Sequence, residues 1–161
     1  MIGAMQACRL VMTQIDFYHL TQSPLETALI MLLKKTLAAG KTGLILCPKP
    51  VASGLDDLLW SYEDDSWLPH GVDDGAGADR AKVWISTDPD SNPINAPFLF
   101  LTHGVMPSKW DAVERAFILF DGGSEAQVDQ ARAQWKQISA MADVSASYFG
   151  QDDEGRWQKK A

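Results

Sequence analysis

The sequence predicts a domain of three layers, helix, sheet and helix, built around a mostly parallel sheet. Three observations carry that prediction. Short apolar runs of strand length recur, such as "GLILC" at 43–47 and "FLFLT" at 98–102. Between several of them lie longer windows whose apolar residues return at helical spacing, the order that gives an α/β fold. The chain also has 161 residues, 46% of them hydrophobic and 22% charged, which suits one ordinary domain with a sizeable core. The architecture expected is a single Rossmann-like α/β/α domain. Right-handed crossovers come with that class, whereas strand order is not written in the pattern.

The elements follow in order. "IDFYHL" (15–20) alternates as a short strand does, and "SPLE" (23–26) is a capping-box signal with Pro24 at the first helical position. Leu25, Leu29, Leu32, Leu33 and Leu37 then recur at helical spacing, with Lys34 and Lys35 near the end where the macrodipole favours cations. Gly40 ends this helix as a C-cap. "GLILC" is a buried strand, and "SGLDDLLWSY" (53–62) a helix opened by Ser53 that buries Leu55, Leu58, Leu59 and Tyr62. From Glu63 to Lys82 the chain is acidic and glycine-rich, a loop expected to be partly mobile. "KVWIST" (82–87), "FLFLT" and "ERAFILFDG" (114–122) are strands, with a Pro/Asn-rich connection at 88–97. The last long helix spans 124–141, capped by Ser124, with Val128, Ala131, Trp135 and Ile138 on its inner stripe. "VSASYF" (144–149) is a final strand before a charged tail. Residues 1–14 read as an N-terminal extension to a domain over 15–161, and Met12 offers an alternative start.

Charge and motifs exclude several functions. The net charge of −7 is uneven: residues 50–79 hold eight acids and no Lys or Arg, leaving thirteen acids against fourteen bases elsewhere. A chain with that balance lacks the broad basic surface that displaces counterions from duplex DNA, so any contact with nucleic acid is expected to be mainly indirect. "LAAGKTGLILCP" (37–48) resembles a phosphate loop only superficially. Five residues before Gly40 stands Lys35 rather than glycine, and the helix precedes the strand instead of following it. The apolar runs are too short to span a bilayer and residues 1–15 lack a signal-peptide pattern, so no membrane association and a cytoplasmic location are expected. Cys8 and Cys47 are far apart, without metal spacing, and the paired aspartates lack the spacing of a calcium loop; no cofactor or metal is expected. No nucleophile elbow, zinc-protease motif or dinucleotide fingerprint is present, and His19, His70 and His103 stand alone in sequence. No catalytic residue is assigned.

Two features remain. Trp60 and Trp67 flank an acidic stretch in "LLWSYEDDSWLPHG"; tryptophan near solvent supplies a stiff apolar anchor for a partner, and core packing is the alternative. In "ARAQWKQ" (131–137), Arg132 and Lys136 are four apart and so share a helical face, with Trp135 at its edge. That trio suits an acidic, aromatic peptide, because arginine takes a carboxylate bidentately while a ring fills the neighbouring surface. Two ordinary solvated cations would look the same in sequence.

Several segments together resemble one family. "FYHL", "LDDLLWSYEDDSWLPHG", "ERAFILFDG", "ARAQWKQ" and "YFGQDDEGRWQKKA" are similar, in order and over about 15–161, to the chi subunit of bacterial DNA polymerase III holoenzyme. The resemblance implies a non-catalytic accessory to the clamp loader that contacts the acidic, Phe-terminated tail of single-stranded DNA-binding protein. It places that tail at Arg132, Trp135 and Lys136, and the psi subunit, another clamp-loader component or a helicase at Trp60 and Trp67. Some members carry a further base one turn before Arg132, where this chain has Val128, and Trp67 stands where the family often has Phe. An unrecognised small-molecule or nucleotide site at the strand ends is the other reading open at this point.

Overall fold

A strand covered on both sides has to be apolar at nearly every position, and the central runs of this chain meet that demand. A computed structural model describes residues 13–61, 70–72, 81–110 and 113–161. In chain order the elements are β1 (Thr13–Leu20), α1 (Leu25–Ala38), β2 (Gly43–Leu46), α2 (Lys49–Ser61), β3 (His70–Val72), β4 (Val83–Ser86), β5 (Phe98–Thr102), β6 (Arg115–Asp121), α3 (Glu125–Ser139), β7 (Val144–Gln151) and β8 (Trp157–Lys159). The sheet runs β3-β4-β2-β5-β6-β1-β7-β8. Every neighbouring pair is parallel except β7 with β8.

Alternate residues of each strand feed opposite cores. On β6, Phe117 and Leu119 join the core under α1 and α2, where Leu29, Leu33, Leu55 and Leu59 are buried. Ala116, Ile118 and Phe120 join the other core, under Ala131 and Ile138 of α3 and the connections that carry Ala96, Val105 and Trp110. Each fully buried Leu or Phe contributes about 1.5–3 kcal/mol. Helices therefore cover both faces, as the alternation of elements predicts.

The chain leaves β1 through α1 on one face and leaves β6 through α3 on the other. β1 and β6 are neighbours, so the crevice beyond their C-terminal ends is the topological switch point.

Local details depart from the sequence reading in four places. Ser23 does not cap α1: extended Pro24 (φ −64°, ψ 154°) stands at the cap position without a side-chain bond. α2 begins at Lys49, before Ser53, because Pro50 in the first turn needs no donor and its fixed φ already suits a helix. Inside the stretch read as a loop, β3 adds to the sheet edge beside β4, and Gly71 is obligatory there. A Cβ at 71 would lie 2.4 Å from Cζ3 of Trp84. The charged tail supplies β8, which pairs antiparallel with β7. The rest of 63–82 apart from Lys82, Ala81 and β3, and the extension up to Met12, lie outside the described residues.

Gly40 does end α1. It has φ +77°, its N–H reaches the Leu37 carbonyl, and the Lys41 N–H reaches that of Thr36, which is a Schellman motif and not a phosphate cradle.

Candidate protein-binding site on the last long helix

α3 is set against the sheet by its first turn. Ser124 Oγ accepts from the Gln127 N–H, and Gln127 Oε1 accepts from the Asp121 N–H at the end of β6. With the helix fixed in that rotation, Ala131 and Ile138 face inward and Arg132 and Lys136 are exposed. Gln134, absent from the expected inner stripe, is also buried; its Nε2 donates to the Gly104 carbonyl at 3.2 Å.

Trp135 lies between these two sides, half-buried. Its ring meets Phe17 edge-on at 5.2 Å and Tyr148 edge-on at 5.8 Å, geometry favoured by the aromatic quadrupole. One turn earlier, Arg132 Nη1 stands 3.8 Å from Asp129 Oδ1, with the two side chains 78% and 76% exposed. A pair so open to water holds Arg132 only weakly. Among the described residues Lys136 makes no ion pair. Val128, where a further base could have stood, packs against the core instead. The structure thus brings Arg132, Trp135 and Lys136 onto one open stretch of α3, a surface and not a pocket: neither of the two cavities described is lined by them.

Next to this surface are two residues that the sequence reading left unassigned. His19, near the end of β1, lies with its Nδ1 2.8 Å from Tyr148 Oη and its ring stacked 4.8 Å from Phe120. Burial first, and then the Arg132 charge, hold the His19 imidazole below its ordinary range. Burial raises the Tyr148 phenol, and Arg132 partly offsets this. The Arg132 charge thus acts on both groups. No sequence signal marks the pair, since 129 positions separate them.

At the switch point, where open α/β sheets bind phosphate, the chain has filled the position itself. The backbone N–H groups of Thr21, Gln22 and Ser23 all donate to Gln151 Oε1, at 3.1, 2.9 and 3.1 Å. Three converging N–H groups make an anion-binding nest, and here a neutral amide occupies it. The Gln151 Nε2 donates in turn to Ser23 Oγ and the Gly155 carbonyl. A cavity of ≈ 570 Å³ lies alongside, with Glu26 and Asp121 in its lining, carboxylates that suit an anionic nucleotide poorly.

Trp60 falls on the last turn of α2, with its side chain outside the described residues, as is the whole of Trp67. Cys47 is buried, and among the described residues no group of three or more His, Cys, Asp or Glu is placed to hold a metal. No helix among them is long and apolar enough to cross a membrane.

Fold and surface together define the class: a Rossmann-like α/β/α domain with its phosphate position internally occupied and a cationic, aromatic stretch exposed on its last long helix. The family model for the DNA polymerase III chi subunit, HolC, matches residues 12–143, and the chain belongs to that family. It is accordingly an accessory subunit of DNA polymerase III and acts in DNA replication. No curated protein matches the chain.

Proposed function

We propose that this subunit is a non-catalytic bridge: the Arg132/Trp135/Lys136 surface holds the acidic C-terminal tail of single-stranded DNA-binding protein, while Trp60 and Trp67 serve as anchors for psi or another clamp-loader component. The observation that supports the first contact is the setting of Arg132. Its guanidinium stands in water, weakly tied to Asp129, beside a half-buried Trp135 that Phe17 and Tyr148 brace from below. An acidic segment gains charge-assisted hydrogen bonds from the cations, and an aromatic side chain gains apolar area from the indole. Trp60 and Trp67 supply the second anchor by residue type alone.

Neither contact has to be tight. Joining two modest ones raises the local concentration of polymerase on coated template, and the avidity depends on both being engaged together. Contact with DNA is then through the coating protein, in keeping with the acid-rich flank at 50–79.

The test is a fluorescence-anisotropy titration of a labelled acidic peptide ending in Phe. Arg132→Ala should weaken binding about tenfold, the value of one charge-assisted contact at a partly exposed site, and added salt should weaken the wild-type complex further. Superimposable titration curves for wild type and Arg132→Ala would remove the site.

A further inference from the structure

We propose that His19, held in one tautomer by Tyr148, completes the Arg132 surface as the donor that reads the terminal carboxylate of the bound chain. This rests on the tail reading given above, and it names a subsite that neither the helix spacing nor the resemblance contains.

A phenol donates its proton to an imidazole nitrogen more readily than it loses it, and the raised Tyr148 phenol stays O–H throughout the neutral range. Across the 2.8 Å between Tyr148 Oη and His19 Nδ1 the stronger hydrogen bond has the phenol donating, because an imidazole nitrogen accepts better than a phenol oxygen, and that arrangement leaves the ring proton of the neutral imidazole on Nε2. Among the described residues Nε2 has no hydrogen-bond partner, and it is not shut away from solvent. Gly122 keeps it uncovered, because a Cβ at that position would stand 2.5 Å from Nε2. Stacking on Phe120 fixes the ring plane. An N–H of set direction thus stands beside the α3 surface, because its anchor Tyr148 packs edge-on against Trp135, and within reach of the Arg132 charge: a point donor near a fork. A carboxylate has two oxygens and can take both, which an internal acidic side chain crossing the surface would not need to do.

Charge coupling follows. With the site empty, Arg132 opposes protonation of His19. A carboxylate seated between them cancels that repulsion and favours the imidazolium, so binding draws in a proton. The titratable neighbours are Tyr148 on β7, Arg132 and its ion-pair partner Asp129 on α3, Asp121 closing β6, and Lys160, whose chain passes over Gly150, the register partner of His19. Of these side chains, His19 is the one whose ordinary range overlaps the interval from about pH 6 to about pH 7.5.

Anisotropy titrations with the acidic Phe-ended peptide as free acid and as C-terminal amide test the assignment. In the wild type, amidation removes the contacts of both Arg132 and His19 and should cost about fiftyfold in affinity; in His19→Phe, which keeps a stacked ring and removes the donor, only the Arg132 contact is left to lose and the cost should fall to about tenfold. An equal amidation penalty in the two proteins would overturn the inference. So that a poorly folded variant cannot decide the matter, the His19 ring resonances of the unaltered chain are followed by NMR against pH. Adding the free-acid peptide should raise the His19 midpoint, and an unmoved midpoint would overturn the assignment. Failure here is distinct from failure of the tail reading. If Arg132→Ala weakens binding while the amidation penalty ignores His19, only the subsite is wrong; if Arg132→Ala changes nothing, the surface itself is.

Discussion

Gln151→Ala removes a side chain that makes five hydrogen bonds, three accepted from consecutive backbone N–H groups and two donated. The N–H groups of Thr21 and Gln22 are exposed and can turn to water at little cost, whereas Ser23 and the Gly155 carbonyl are partly buried. Counting somewhat under 1 kcal/mol for each of the three part-buried bonds, since water replaces some of what is lost, and little for the two exposed ones, gives a loss of about 2 kcal/mol. In urea, with a slope near ~2 kcal/mol per M, this lowers the unfolding midpoint by about 1 M and leaves the slope unchanged. The variant also empties the nest, so inorganic phosphate should stabilise it more than it stabilises the wild type. A midpoint within about 0.2 M of wild type, with no extra response to phosphate, would refute the view that Gln151 occupies a latent anion site.

Two further predictions concern β1. Asp16 is 1% exposed and takes Arg115 Nη2 at 2.6 Å and Nε at 3.0 Å on one oxygen and Gln14 Nε2 at 2.7 Å on the other. Arg115→Ala strands that carboxylate and should cost about 2–3 kcal/mol in denaturant unfolding, the lower end for a buried pair because the arginine is 42% exposed; Asp16→Asn should cost less, since it leaves only a solvated cation. The Tyr18 phenol is pushed up to about 12 by burial and then by the Asp16 charge. A raised acid in the native state means stability present below the ordinary value of 10.0 and lost between there and about 12, so unfolding free energy should fall over that interval and tyrosinate absorbance should appear late.

Sequence reveals what is local and repeated, and this chain shows where that stops. "FLFLT" is β5 residue for residue, Gly40 is the C-cap its position implies, and Ser124 caps α3, because each depends on neighbours within a turn or a strand. The short strands β3 and β8 were missed. Three-residue strands carry no period, and β8 sits in a polar tail where Trp157 is anchored by an edge-on contact with Tyr18, 4.9 Å away and 139 positions earlier. Ser23 looked like a cap and is instead a partner of Gln151, a side chain that only the return of β7 delivers. The same holds for the site. Helical spacing is enough to put Arg132 and Lys136 on one face, and Trp135 at its edge is what the structure shows. His19 and Tyr148 join them through the pairing of β1 with β7, which strand patterns do not specify.

The most direct measurement of the bridging role is retention on immobilised single-stranded DNA coated with single-stranded DNA-binding protein, either intact or lacking its acidic tail. This chain should be held by the intact coat, released by tail removal or by Arg132→Ala, and not held by bare DNA. Equal retention on the tail-less coat, or on uncoated DNA, would contradict that role.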